Sequence, residues 1–506
     1  MHETRWVWVC VSLVACAFFG ACSGSGAGSA GAGSDVAAGR RLPRLHAEGK
    51  NIVETGGSAV VLRGVNLGCW LFHENWISQL DYPLHGRIYV LGHEQGIGNE
   101  VDAVLRQVGP SHGAQWLEAF EAGLDALIGQ PATDAFLTEV ARYPVVYDDS
   151  DRATRTLLEE RFGRGGRDRL LDVFWGVWIQ EPDIAWIAAQ GFNVVRVPIG
   201  YRNLITQSEK EPLRSLDWNE KAFSRLDSLL GWCEKYGVYA VIDIQEAPGG
   251  QNDYSGPARL YEDPLMQELT LQLWEELSRR YRKRDVVAAY SLLAEPFGAP
   301  SAKARDDMYD RIIRRVRACG DDHLLVVHDG FFGMGTLPRP EERGWENVVY
   351  STHIFEFDVT NLLGYEILVS LYDWLFNRSQ EIQRVPYYIG SFSTMRDEEF
   401  AYRGASLLVD LYERSGWSWS LWTYKKIDDP IDQELFGTST SWGLRGRLAS
   451  SFERPDLYRD EEATLMRKLA GYADLVIESN ERLLDILKKR GQEKGTDLFS
   501  GSIAAP

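Results

Sequence analysis

Eight short β-rich runs separated by helical patterns constrain this chain more than any other feature. They read VVLRGVNLG at 60–68, FNVVRVPIGY at 192–201, YAVIDIQEA at 239–247, VAAYSLLAEP at 287–296, HLLVVHDGF at 323–331, VVYSTHIFEF at 348–357, YYIGSFS at 387–393 and SWSLWTYKK at 418–426. Such apolar runs suit strands buried on both faces, and the stretches between them, such as 219–235 and 303–318, carry amphipathic helical spacing. Strand alternating with helix gives a parallel sheet, and eight repeats close it into a single (β/α)8 barrel, the TIM-barrel architecture of the α/β class. A chain of 506 residues has room for one such barrel, expected over 45–450, with additions.

Two additions are expected. Residues about 72–180, between the first and second runs, hold several helical patterns (GNEVDAVLRQVG, AQWLEAFEAGLDALIG, ATRTLLEERFG). Leaving the top of the first strand, they should lie near the barrel mouth, as a wall or lid of the cleft or as a stabilising group of packed helices. Beyond the eighth run, EEATLMRKLAGYADLVIESNERLLDILKKRG predicts a helical tail over 451–506 that closes the bottom or side of the barrel.

The first 22 residues predict an export signal, with Arg5 before an apolar run from Trp6 to Ala21 that is short for a membrane span. Gly20 and Ala21 before Cys22 resemble a bacterial lipobox, in which Cys22 is lipidated, although Phe19 stands where leucine is usual. A plain secretory signal is the alternative. The following SGSGAGSAGAGS begins a Gly/Ser/Ala-rich tether over 23–44. The expectation is therefore an exported protein, membrane-anchored or else secreted. Cys69, Cys233 and Cys319 remain, and their spacing gives neither a disulfide framework nor metal ligands.

A formal charge of −19 argues against a nucleic-acid partner, because that binding rests on lysine and arginine neutralising phosphates. The 17 Trp and 22 Tyr suit sugar faces, which pack on aromatic rings, although any one ring is first a packing residue.

In this fold the C-terminal strand ends carry the site. The fourth run ends in LLAEPFG, where a glutamate before proline is well placed as a general acid. Taken in order, VVLRGVNLGCWL, DIAWIAAQGFNVVRVPIGYR, YGVYAVIDIQEAPGGQN, AEPFG, STHIFEF, YYIGSFS and LWTYK resemble glycoside hydrolase family 5, in particular its cellulase and exo-β-1,3-glucanase-like branches, over about 48–430. The resemblance implies a retaining mechanism without metal or organic cofactor. A strand-four glutamate would be the acid/base and a strand-seven glutamate the nucleophile, their carboxyls about 5–5.5 Å apart.

By this resemblance Arg196 falls on the arginine that braces the nucleophile, Glu295 on the acid/base, His353 on the strand-six histidine and Trp422 on the sugar-platform tryptophan. Four positions depart from the pattern. Gln245 replaces a histidine, Ala294 the asparagine that holds the sugar 2-hydroxyl, Phe355 a tyrosine, and Ser391 the nucleophile itself. A serine without an adjacent base is a poor substitute for a carboxylate facing an oxocarbenium-like centre.

Glu246 and Glu356, with Asp243 and Asp358 near them in sequence, are candidate relocated carboxylates that would permit inversion at about 6.5–9.5 Å from Glu295. Neighbours of barrel-facing residues point into the helix layer, however, which favours a salt-bridge role. Trp70, Phe72, Tyr254 and Phe331 are further candidate platforms at strand tops, and DPI at 429–431 reads as solvated surface. The expected ligand is a β-linked glucan or oligosaccharide. Three readings stand: a catalytically impaired carbohydrate binder, a working glycosidase with a relocated carboxylate, or a barrel reused for protein contacts.

Overall fold

The computed structural model describes residues 42–488 apart from 111–113, 144–149, 255, 357–358, 395–398 and 438–442. Cys22 with its signal, and Asp358, lie outside the described residues. Eight parallel strands close into a barrel: β1 (Arg63–Asn66), β2 (Val194–Gly200), β3 (Tyr239–Glu246), β4 (Val287–Ser291), β5 (Leu324–His328), β6 (Val348–Phe355), β7 (Tyr387–Ser393) and β8 (Ser418–Leu421). Each expected run contains its strand, and β8 pairs back onto β1 through Trp419 and Arg63. β2, β4, β5, β7 and β8 are buried at every residue, which is why they read as unbroken apolar runs.

The helices between strands begin where a short polar side chain accepts from a free backbone N–H of the first turn. Asn219, Asp263, Ser301 and Asn361 cap helices Glu220–Tyr236, Pro264–Tyr281, Ala302–Ala318 and Leu362–Gln383 in this way. Below the barrel, strands Leu45–Glu48, Asn51–Glu54 and Ala59–Val60 form a small antiparallel sheet. Its Leu45 and Ile52 pack with Leu62, Val194, Tyr239 and Leu324 to plug the strand starts.

The insertion after β1 is helical, as expected, and divides in two. Helices Leu84–Glu94, Gly98–Val108, Ala114–Ile128 and Gln130–Val140 share a separate core that includes Ile88, Leu105, Phe120 and Phe136. The segment Ser150–Trp178, kinked at Gly163, instead feeds Leu158, Phe174, Trp175 and Trp178 into the main core.

The tail departs from the expected run of helix. Helix Glu462–Ala470 packs on Ser150–Trp178, strand Ile477–Ser479 then pairs antiparallel with Arg445–Leu448, and helix Glu481–Lys488 packs on Glu399–Ser415. Thus the tail closes the side of the barrel. Among the described residues, no helix is long and apolar enough to cross a membrane.

Candidate active site

The ends of β4, β6 and β7 converge on one carboxyl. Glu295 follows β4 with a left-handed backbone (φ 47°) and is buried. Tyr254, from the loop after β3, donates its hydroxyl hydrogen to Glu295 Oε2 at 2.8 Å, and His353 Nδ1 on β6 lies 2.6 Å from Oε1. Burial pushes the Glu295 carboxyl up, against the opposing pull of His328, Tyr254 and Arg196. Burial likewise holds His353 and His328 well below the usual histidine range, so both imidazoles are neutral at neutral pH. When Glu295 carries its proton on Oε1, that proton points at His353 Nδ1, and His353 keeps its own hydrogen on Nε2.

Ser391 on β7 stands in register with His353 on β6. Its Oγ is buried with no hydrogen-bond partner. Arg196, on β2, donates from Nη1 to Asn66 Oδ1 at 2.8 Å and from Nη2 to Gln245 Oε1 at 3.3 Å, and Nη2 lies 2.8 Å from Asp243 Oδ1. Arg196 Nε, also buried, has no partner. Burial raises the Asp243 carboxyl, and Arg196 pulls it back. The arginine that the resemblance assigns to a strand-seven nucleophile is thus held by Asp243 and its neighbours.

Both relocated-carboxylate candidates are engaged by side chains outside this centre. Glu246 takes Arg202 Nε at 3.2 Å, in a network in which Arg202 and Arg155 share Glu209. Glu356 accepts from Tyr372 on helix Leu362–Gln383 at 2.6 Å. The cause is strand alternation, which sends every second side chain into the helix layer. Asp243 is engaged with Arg196.

A carboxyl that sequence reasoning missed lies in the mouth instead. Glu74, in the loop after β1, accepts from Trp76 Nε1 at 3.3 Å through Oε1, while its Oε2 is buried without a partner. Burial pushes its carboxyl up to about 8, and the charges of Glu295 and Asp151 push the same way, against Trp76 and Arg196. Glu295 and Arg196 therefore lie within electrostatic reach of it.

The loop is fixed by the insertion. His73 N–H donates to Asp151 Oδ1 at 2.8 Å, Asn203 Nδ2 donates to the same carboxylate at 3.0 Å, and Trp178 Nε1 donates to Gly68 O at 2.9 Å. Within the insertion, Ser150–Trp178 contributes to the main core, while the four helices before it bundle around their own. The signal available in the sequence was the general one, an acidic residue in a strand-top loop.

The aromatic candidates separate. Trp70 is buried and donates its indole N–H to Trp175 O at 2.8 Å, so it is a packing residue and not a platform. Tyr254, Phe297 and Phe331 form a chain of rings with centroids 5.0 and 6.1 Å apart along one side of Glu295, where Tyr254 is exposed. Phe72 is half-buried, Trp422 is buried after β8, and Phe355 stands edge-on to His353 at 6.3 Å. Ala294 is buried, and its carbonyl accepts from Gln251 Nε2 at 2.8 Å.

The reading of 429–431 as solvated surface is corrected at Asp429, while Pro430 is exposed. Asp429 is buried, caps helix Pro430–Phe436 and takes Arg454 Nη2 at 2.6 Å. His85, Asp429 and Asp432 offer atoms within 4.8 Å of one another that could hold a metal ion. Arg454 already brings positive charge to Asp429 Oδ1, and His85 Nε2 lies 2.6 Å from Asp432 Oδ1, while Asp429 Oδ2 is buried without a hydrogen-bond partner.

The sequence profile of the family described as cellulase (glycosyl hydrolase family 5) matches residues 167–427. A curated β-xylosidase of Phanerodontia chrysosporium is 25% identical over 411 residues, covering 76% of this chain and 71% of the relative. Glucan 1,3-β-glucosidase 2 of Saccharomyces cerevisiae is 29% identical over 222 residues, which span 40% of this chain and 39% of that protein. Among solved structures, an endogalactoceramidase superposes with a TM-score of 0.47 at 18% identity over 85% of each chain. An endoglucanase of Thermotoga maritima gives 0.45 at 19% identity over 62% of this chain and 91% of its own.

Proposed function

The chain belongs to glycosyl hydrolase family 5, and from that premise we propose that its barrel mouth binds a β-linked glucan or oligosaccharide while hydrolysis by the family's double displacement is lost. One observation carries this reading. Towards the end of β7, where the nucleophile would stand, Ser391 presents a short buried hydroxyl with no hydrogen-bond partner. A retaining site needs an anion there to stabilise the positive anomeric centre, and its removal lowers the rate by roughly a hundred- to a thousandfold or more. Arg196 Nε and Ser391 Oγ are both buried without a hydrogen-bond partner.

Binding capacity remains. Glu295, His353, Tyr254 and Glu74 Oε2 offer hydrogen-bonding atoms to sugar hydroxyls, and the Tyr254–Phe297–Phe331 rings offer an apolar face. Use of Glu246 or Glu356 as a base is disfavoured by their partners Arg202 and Tyr372.

A second reading is favoured by Glu74. The charge of Glu295 adds to the upward shift of the Glu74 carboxyl, and in an active glycosidase Glu74 would be the second carboxylate. Burial works against it, because a carboxyl pushed up to about 8 is protonated at neutral pH and must lose its proton to act as a base or nucleophile.

The test is to incubate the purified protein with aryl β-glycosides and β-glucans, measuring product release and calorimetric binding together. Binding without release, with Ser391→Glu gaining release that Glu295→Gln abolishes, is the expected outcome. Brisk release by the unaltered protein that falls at least a hundredfold in both Glu74→Gln and Glu295→Gln would overturn it in favour of the second reading. The same proposal has the chain exported and anchored through Cys22. Labelled fatty acid should enter the unaltered protein and not Cys22→Ser.

A further inference from the structure

The largest unpartnered apolar feature among the described residues lies away from the mouth, on the outward face of helix Leu362–Gln383. Leu363, Ile367, Leu371, Trp374 and Ile382 are between 44% and 64% exposed, on a helix that already buries Tyr365, Val369 and Phe376 on its other side. Five large apolar side chains in one stripe along a helix of 22 residues, ~33 Å long, exceed the scattered exposure ordinary for a surface.

With the exposed Arg378, the stripe occupies positions 363, 367, 371, 374, 378 and 382. Their spacing is 4, 4, 3, 4, 4, which reads the same from either end. Such a face is self-complementary under a two-fold axis perpendicular to the helix. Laid antiparallel on a copy of itself, it sets Leu363 against Ile382, Ile367 against Arg378 and Leu371 against Trp374. An isologous interface has this symmetry, and rows at i+3 and i+4 are those that interlock when helices pack.

Charge agrees with the same register. Neither Glu366 nor Arg378 makes an ion pair among the described residues; Arg378 lies within the stripe and Glu366 flanks it. The antiparallel register brings Arg378 of one copy beside Glu366 of the other, twice. A lipid surface fits less well. Glu366, Asp373 and Glu381 outnumber Arg378 and Arg384 along this helix, whereas helices that lie on membranes carry a basic flank.

We propose that this chain forms a two-fold homodimer through helix Leu362–Gln383, the stripe burying itself against the same stripe of a second copy in antiparallel register. A single helix pair is a small interface, so the dimer dissociates in roughly the micromolar range.

Sedimentation equilibrium of the purified full chain tests this across that range. The expected result is a reversible monomer–dimer equilibrium that Ile367→Glu with Leu371→Glu abolishes, with an unchanged melting transition showing that the barrel still folds. Glu366→Arg and Arg378→Glu should each weaken the dimer at least tenfold, and the two combined should restore it. A monomer throughout, or a dimer insensitive to Ile367→Glu with Leu371→Glu, overturns the proposal. Failure of the charge reversal to restore association overturns the register. Cosedimentation of the protein with phosphatidylcholine/phosphatidylglycerol vesicles, lost in Ile367→Glu with Leu371→Glu, would assign the stripe to lipid instead.

Discussion

Ser391 shows how much one side chain decides. Its hydroxyl has no partner to lose, so Ser391→Ala should leave thermal stability unchanged or raise it by up to about 1 kcal/mol, and should leave glycan affinity intact. Loss of a measurable turnover in that variant would instead make the hydroxyl a participant. Glu74 gives a pH prediction. Its carboxyl is raised from an ordinary value near 4.5 to about 8 in the folded protein, so the unfolded chain releases the proton first as pH rises. Stability from this group is complete below about pH 4.5 and is lost progressively up to about pH 8. Melting temperatures measured across that window should fall less steeply in Glu74→Gln than in the unaltered protein. Glu295 combines a left-handed backbone with a following proline, two conditions that disfavour a residue with a side chain. Such conformations persist where surrounding structure over-determines them, commonly at ligand sites, and Tyr254 and His353 supply that constraint here.

The strands were the legible elements, because burial on both faces writes itself as a run of apolar residues. The runs outlast the ladders at β1, β4 and β8, since the residues that continue into the mouth, such as Leu67, Leu292 and Trp422, are buried by loops as well. Strand-top positions on β4, β6 and β7 could likewise be placed by counting. Which way Glu246 and Glu356 point followed from alternation, but their partners Arg202 and Tyr372 did not. Glu74 was not legible as a site residue, because only folding brings the loop after β1 within electrostatic reach of Glu295. The contact between helices Leu362–Gln383 and Glu399–Ser415 offers a test of packing at this scale. A Cβ on Gly404 would meet the Tyr365 ring at 2.6 Å, so Gly404→Ala should destabilise the protein by about 1–3 kcal/mol, read by chemical denaturation.

At the scale of the molecule, the mouth depends on segments remote in sequence. The loop bearing Glu74 is held by Ser150–Trp178, which is held in turn by the tail. Arg161 Nη2 donates to Asp460 O at 2.8 Å, Arg169 pairs with Glu462 at 2.6 Å, and Tyr472 donates its hydroxyl hydrogen to Ser78 O at 2.9 Å. Ending the chain after residue 450 would strip the partners of Phe174 and Trp178 at Tyr472 and expose the surface beneath Leu465 and Leu469. Such a truncation should lower the melting temperature by at least several degrees and weaken glycan binding further than loss of stability alone explains.

That dependence of Glu74's loop on Tyr472 has a temporal consequence. A ribosome that has finished all eight strands has not yet made the tyrosine that secures Ser78. The mouth is therefore completed only once the segment bearing Tyr472 has been made, and a nascent barrel should acquire affinity for sugar abruptly, after that segment emerges.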